Sequence, residues 1–233
     1  MRRILMILTS HKELNNTDKT TGVWLGEFTD PYYEFIDKGY EVVLASPKGG
    51  EPPLDPRSKL TENITSSNRR FDDDADAQQK FKSTFSLSEV SAADFDALFF
   101  PGGHGPMWDL ATDDRCAQLI VDFYSQKKPI AAVCHGPAAL VRAAELKPEI
   151  LRGKKVTAFS NKEEVLVGLA DNIPFKLQDR LKELGADYDA SFIPFTSKVR
   201  VDGLLITGEN PASAEPAAKK LIETLEKQPS KIH

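Results

Sequence analysis

The sequence predicts a doubly wound α/β fold with a mostly parallel sheet flanked by helices, and three observations carry that expectation. Short, nearly continuous apolar runs recur along the chain. Amphipathic stretches of helical period separate them. The two kinds of segment alternate in the order β-α-β…β-α-β-α-β-α.

The apolar runs come first. "RILMIL" (3–8), "YEVVLAS" (40–46), "FDALFF" (95–100), "KPIAAV" (128–133) and "KVTAF" (155–159) are bounded by turn residues and too short for helices. Apolar residues at nearly every position suit parallel strands covered on both faces. Helices are expected at roughly 22–38, 113–127, 137–146, 161–169, 174–184 and 211–227. Gly39 and Gly185 close two of them, Pro137 and Pro211 stand at first-turn positions, and Ser160 with Glu163 forms a capping box. Late in the chain, "VRVDGLLIT" (199–207) reads as a β-hairpin around an Asp-Gly junction. The polar, acidic stretch 47–92 is read as an insertion with short helices over the sheet, so residues 1–233 form a single domain.

Composition narrows the function classes. Hydrophobic residues make up 40% and charged residues 28%, net charge is −5, and no lysine- or arginine-rich run occurs. That balance argues against nucleic acid or an anionic membrane as the main partner. No apolar run approaches the roughly 20 residues of a membrane span. The start, "MRRILMILTS", has the basic residues of a secretory signal, but its apolar run is only "ILMIL" and no small-residue cleavage site follows. It reads as a first buried strand. Cys116 and Cys134 are the only cysteines, which points away from a disulfide framework and toward a cytoplasmic setting with free thiols.

In a doubly wound sheet, ligands bind where the strands run out. One such end reads "AAVCHGPAAL" (131–140): a thiol, an imidazole, a glycine and a proline at the join of a strand and a helix. A buried core cysteine beside an ordinary turn would look much the same. However, a second strand end, "LFFPGGHGPMWDL", brings Gly102, Gly103, His104 and Gly105 to the same edge. Glycines there leave backbone N–H groups free to face an oxygen atom, so the N–H groups of Gly103 and His135 could stabilise an oxyanion beside Cys134. The start of a helix near Pro137 would favour a thiolate. Gly103 and His104 are accordingly substrate-binding candidates.

Two acidic positions complete the set. Glu27, in "TGVWLGEFTDPYYEF", edges the apolar face formed by Val23, Trp24, Phe28 and Phe35. Spacing alone fits a solvated glutamate equally well, whereas a buried one must be paired or protonated. In "FSNKEEVLVG", Glu163 or Glu164 could orient the His135 imidazole as a third triad member does. Glu163 also fits the capping box. No G-x-x-x-x-G-K-[ST] or dinucleotide fingerprint occurs, and the four histidines show no metal-ligand spacing, so neither cofactor nor metal is expected.

These segments together resemble the ThiJ/PfpI superfamily, with its class I glutamine-amidotransferase-like (flavodoxin-like) fold, and most of all its glyoxalase III and heat-shock-chaperone class. "AVCHGPA" resembles that class's nucleophile elbow, "FFPGGHGPMWDL" its facing loop and "KTGVWLGEFTDPYYEF" the helix carrying its buried glutamate; "VTAFSNKEEVLVG" and "LITGENPASA" are similar to later segments. The resemblance implies Cys134 as nucleophile, His135 as the neighbouring imidazole, Glu27 as the carboxyl sharing a proton with the thiol, and Glu164 as the acidic triad member. It implies a glutathione- and cofactor-independent glyoxalase that converts methylglyoxal and related 2-oxoaldehydes to D-lactate and other 2-hydroxy acids. A stress-response holding chaperone, a protein deglycase and a cysteine amidase or peptidase are the alternatives. True amidotransferases of this fold carry a His-Pro-Glu where this chain reads "GENPAS", so glutaminase activity is not expected. A homodimer is expected, with Trp24 and Tyr32–Tyr33 as aromatic surface near the first helix.

Overall fold

The structure, a computed structural model, describes residues 1–228. The chain runs through β1 (Arg3–Ile7), α1 (Leu25–Asp37), β2 (Glu41–Ser46), α2 (Ser66–Asp73), α3 (Ala75–Lys82), β3 (Phe85–Ser86), β4 (Ala97–Phe100) and α4 (Asp114–Ser125). It continues through β5 (Ile130–Val133), α5 (Ala139–Leu146), β6 (Lys155–Val156), α6 (Asn161–Leu166), α7 (Leu177–Glu183), β7 (Asp187–Tyr188), β8 (Val199–Asp202), β9 (Leu205–Gly208) and α8 (Ala214–Glu226). Seven strands form one sheet in the order β3-β2-β1-β4-β5-β9-β8, parallel throughout except for the antiparallel β8–β9 pair.

The strands are apolar along their length because both faces are covered. On β1 and just after it, Ile4, Met6 and Leu8 pack in the layer beneath α1 and α8, while Leu5 and Ile7 pack in the layer beneath α4 and α5. Residues 47–92 carry α2 and α3, which lie against α1 through the Phe28–Phe71–Phe81 ring cluster, and also supply edge strand β3. Among the described residues, no helix is long and apolar enough to cross a membrane. From β1 the order proceeds to β2 on one side and β4 on the other, so the topological switch lies between β1 and β4. The ends of β4 and β5 open beside it.

Three sequence expectations are corrected. The run 155–159 does not join the main sheet: only Lys155–Val156 is strand, and it pairs with β7 in a separate two-stranded sheet. The seat beside β5 is taken by β9, and the chain from Thr157 to Phe159 instead crosses the strand ends, with Thr157 N–H donating to Thr207 Oγ1 (2.9 Å) and Phe159 N–H to Cys134 O (3.0 Å). The hairpin turns at Gly203–Leu204 rather than at Asp-Gly, because Asp202 is still paired with Leu205 and Gly203 takes the left-handed φ of +60° at the first turn position. Tyr32 and Tyr33 are not surface: each is 3% exposed, and Tyr33 is covered by the Arg70 guanidinium of α2 and by Asp74 at the α2–α3 junction. Tyr32 and Tyr33 therefore supply no aromatic surface for a dimer at that face, and Trp24 alone is partly exposed there.

Candidate active site

Glycine packing at the strand ends builds the site. Cys134 follows β5 directly with a φ of +58°, a conformation a non-glycine residue adopts only when its surroundings hold it there. Two backbone bonds do so: Cys134 N–H donates to Gly208 O (2.9 Å) and its carbonyl accepts from Phe159. Gly136, two residues on, sits so close to the end of β4 that a Cβ would lie 2.4 Å from Phe100 O. On the β4 side, a Cβ at Gly103 (φ +93°) would lie 1.9 Å from Gly22 O. That contact, with Trp24 N–H donating to Gly102 O (3.0 Å), docks the start of α1 onto the strand ends and aims Glu27 at the elbow.

The result is a compact acid–thiol pair. Glu27 is fully buried, and its Oε2 accepts the Gly102 N–H at 2.7 Å. Its Oε1 has no hydrogen-bond partner, and the Cys134 thiol is the neighbouring ionisable group that acts on the carboxyl. A Cβ at Gly102 would meet Glu27 Oε2 at 2.6 Å and Cys134 Cβ at 2.9 Å, so only glycine leaves the two side chains room to meet. Burial pushes the Glu27 carboxyl up to about 8, against the lowering effect of its bonds to Cys134 and Gly102. Burial and the adjacent Glu27 likewise push the Cys134 thiol well above its ordinary value. The resting pair is thus thiol and carboxylic acid. The helix-terminus effect read from the sequence does not prevail, since desolvation and a like charge both oppose the thiolate.

A second group lies on the other side of the sulfur. His135 Nδ1 is 3.4 Å from Cys134 Sγ, and its Nε2 is 2.7 Å from Glu164 Oε2. His104 Nε2 is 2.6 Å from Glu164 Oε1, and its Nδ1 is 3.2 Å from Arg57 Nη2. Burial alone would raise the Glu164 carboxyl, but the two imidazoles hold it well below the usual carboxylate range. Burial, with His135 alongside, lowers His104 to about 4. Glu164 is therefore a carboxylate accepting two imidazole N–H bonds, which leaves the lone pair of His135 Nδ1 facing the thiol.

Of the sequence-derived candidates, Cys134, His135, Glu27, Glu164, Gly103 and His104 converge here. Glu163 points elsewhere. Its Oε2 closes the capping box with Ser160, and its Oε1 accepts from Phe195 N–H and Asn210 Nδ2. His104 has both ring nitrogens engaged within the protein, so it braces Glu164 rather than offering a free polar atom to a ligand. The N–H groups of Gly103 and His135 make no hydrogen bond within the described residues. The sequence reading missed Asp55 and Arg57, an ion pair from the insertion, with Thr21 Oγ1 on Asp55 at 2.9 Å. The only local signal was the Asp-Pro-Arg turn itself. A cavity of about 450 Å³ opens above Cys134. His104, His135 and Glu164 also bring three possible metal-ligand atoms within 4.8 Å of one another, but those atoms already satisfy each other by hydrogen bonding.

The sequence pattern of the DJ-1/PfpI family matches residues 20–224. The chain belongs to that family. Its relatives include the glutathione-independent glyoxalase hsp3101 of Schizosaccharomyces pombe, 31% identical over 213 residues and covering 87% of each chain. Among solved structures it is similar to the Francisella tularensis rapid encystment protein of 24 kDa, with a TM-score of 0.91, 40% identity and coverage of 97% and 99% of the two chains. It is also similar to the glyoxalase III of Candida albicans, with a TM-score of 0.87, 27% identity and coverage of 96% and 97%.

Proposed function

We propose that this DJ-1/PfpI protein is a glutathione-independent glyoxalase that converts 2-oxoaldehydes to 2-hydroxy acids through a hemithioacetal on Cys134. The observation that carries the reading is the buried Glu27 carboxyl, holding its proton near neutral pH, against the Cys134 thiol. A relative and a structural neighbour named as glyoxalases support it.

In this mechanism the Cys134 sulfur attacks the aldehyde carbon. His135 Nδ1 takes the thiol proton while Glu27 gives its own proton to the aldehyde oxygen. Glu27, now a carboxylate, removes the hydrogen from C1 and returns it to C2. His135 meanwhile gives a proton to the C2 oxygen and takes one from the C1 oxygen, so the hemithioacetal becomes a 2-hydroxy thioester. Glu27 then accepts a proton from attacking water, His135 returns one to sulfur, and the acid leaves with the thiol and carboxyl restored. In this reading the N–H groups of Gly103 and His135 hold the oxygen on C1 as charge develops. Loss of methylglyoxal and formation of D-lactate without added glutathione is the test. No loss of the aldehyde at micromolar enzyme would overturn the reading.

A second reading, a holding chaperone, has one specific observation in its favour. Six large apolar side chains on and after α6 and after β7 are exposed: Val165, Leu166, Val167, Phe192, Ile193 and Phe195. Cys134→Ala separates the two, because suppression of client aggregation would survive it and aldehyde turnover would not.

A further inference from the structure

The cavity above Cys134 is large for a three-carbon aldehyde. At about 450 Å³ it falls in the range that encloses drug-sized ligands, whereas methylglyoxal leaves most of it unfilled. Its polar lining is Cys134, His135 and His104, with Arg57 and Asn63 from the insertion. The rest of the lining is largely apolar and partly aromatic. The His135 ring lies 4.5 Å from Phe159, centroid to centroid, and Phe159 lies 6.3 Å from Phe195 at the lip. Trp24, Leu60, Val167, Pro211 and Ala212 complete the apolar lining.

Phe195 is held there at a conformational cost. Its φ is +62°, an uncommon choice for a bulky L-residue, and the residue is left 44% exposed. Neither feature benefits the folded protein alone. The position is nevertheless heavily fixed: Phe195 N–H donates to the fully buried Glu163 at 2.8 Å, Asn210 Nδ2 bridges Glu163 (2.9 Å) and Thr196 O (2.8 Å), and Asn210 is itself buried. Strain that the surroundings over-determine at the rim of a reactive cavity is strain kept for a ligand.

We infer that Phe159 and Phe195 form a subsite for an apolar, preferentially aromatic, substituent on the keto carbon of the substrate. The preferred substrates are then aryl and branched-alkyl 2-oxoaldehydes rather than methylglyoxal, and Phe195 is a specificity-determining residue. This rests on the glyoxalase reading of the same site. An aromatic pair formed with a substrate ring, plus the ring's own burial, accounts for roughly a tenfold preference.

The test compares phenylglyoxal with methylglyoxal in the wild type, Phe195→Ala and Phe195→Leu. Phe195→Ala should lower kcat/KM for phenylglyoxal about tenfold and leave methylglyoxal within about twofold, with Phe195→Leu between the two. An equal change on both aldehydes, or none on phenylglyoxal, would overturn the subsite. Calorimetric binding of the unreactive ketones 2-hydroxyacetophenone and hydroxyacetone separates this from failure of the glyoxalase reading. If neither aldehyde turns over, the glyoxalase reading falls. Tighter binding of the aryl ketone, lost in Phe195→Ala, would still uphold the subsite, and equal binding by both proteins would end it.

Discussion

Glu27 and Cys134 occupy one small volume with Gly102 between them, and neither group has a private protonation equilibrium there. Ionising either one places a negative charge beside the other in a buried setting that screens it poorly. The proton on Glu27 is therefore part of the reagent and not an incidental feature of burial. Glu27→Gln keeps a side chain of the same shape but cannot carry a proton from C1 to C2. We expect it to form the Cys134 adduct with methylglyoxal, visible by mass spectrometry, while turnover falls by about 10²–10⁴-fold. Glu27→Asp should also lose activity, since the shorter carboxyl abandons the Gly102 N–H or the sulfur. Wild-type turnover by Glu27→Gln would reduce Glu27 to a core residue. Cys116 makes a useful contrast: it is also fully buried with its thiol pushed up by burial, but it lies inside α4 with no imidazole beside it.

At the scale of elements, the glycines decide how closely the segments approach, and this is where sequence and structure can be compared. The central strands were legible because burial on both faces forces apolar residues at every position, as in β1 and β4. The elbow was legible because Cys134, His135, Gly136 and Pro137 are contiguous. Burial of Glu27 was not legible from spacing, since it depends on Gly22 and Gly103 touching across 81 residues of chain. The resemblance, not the periodicity, pointed to it. Asp55 and Arg57 were missed for the same reason, being joined to His104 only through tertiary contact. The pattern of 155–159 marked it as apolar and extended but could not say that β9 would occupy its place in the sheet. The Gly22–Gly103 contact makes a direct test. Gly153→Ala, at a φ of +72° with open space around it, should cost only the left-handed strain of roughly 1–2 kcal/mol. Gly103→Ala adds a Cβ overlapping a backbone oxygen and must prise the entry to α1 off β4. Its urea midpoint should fall well below that of Gly153→Ala, and its activity should be lost as Glu27 moves. Equal midpoints for the two variants would show that this junction does not position the site.

For the whole molecule, the protons stored in the site set how stability depends on pH. Burial raises Glu27 from 4.5 to about 8, and burial with Glu163 nearby raises Glu209 from 4.5 to about 7. Each group holds a proton in the folded chain that the unfolded chain has released, so each contribution is complete below pH 4.5 and is lost as pH rises through the folded value. His104 acts in the opposite sense. Lowered from 6.5 to about 4, it favours the fold fully above 6.5 and loses that contribution as pH falls toward 4. Between 4.5 and 6.5 the folded chain therefore holds two protons from the carboxyls against one that unfolded His104 gains, a net of one. From 6.5 to 7 the net is two, and from 7 to 8 it is one again. Stability should peak on the acid side, near pH 4.5, and decline to pH 8. In a chain of this size, 1 kcal/mol moves Tm by about 2–4 °C, so the decline is readable as a drop of several degrees. Thermal scans at pH 5, 6.5 and 8 should show it in the wild type. Glu27→Gln should flatten the part of the profile that ends near 8, and Glu209→Gln the part that ends near 7. A wild-type Tm that rises from pH 5 to 8 would mean that neither carboxyl holds its proton in the fold. The proton shuttle assigned to Glu27 would then lose its physical basis.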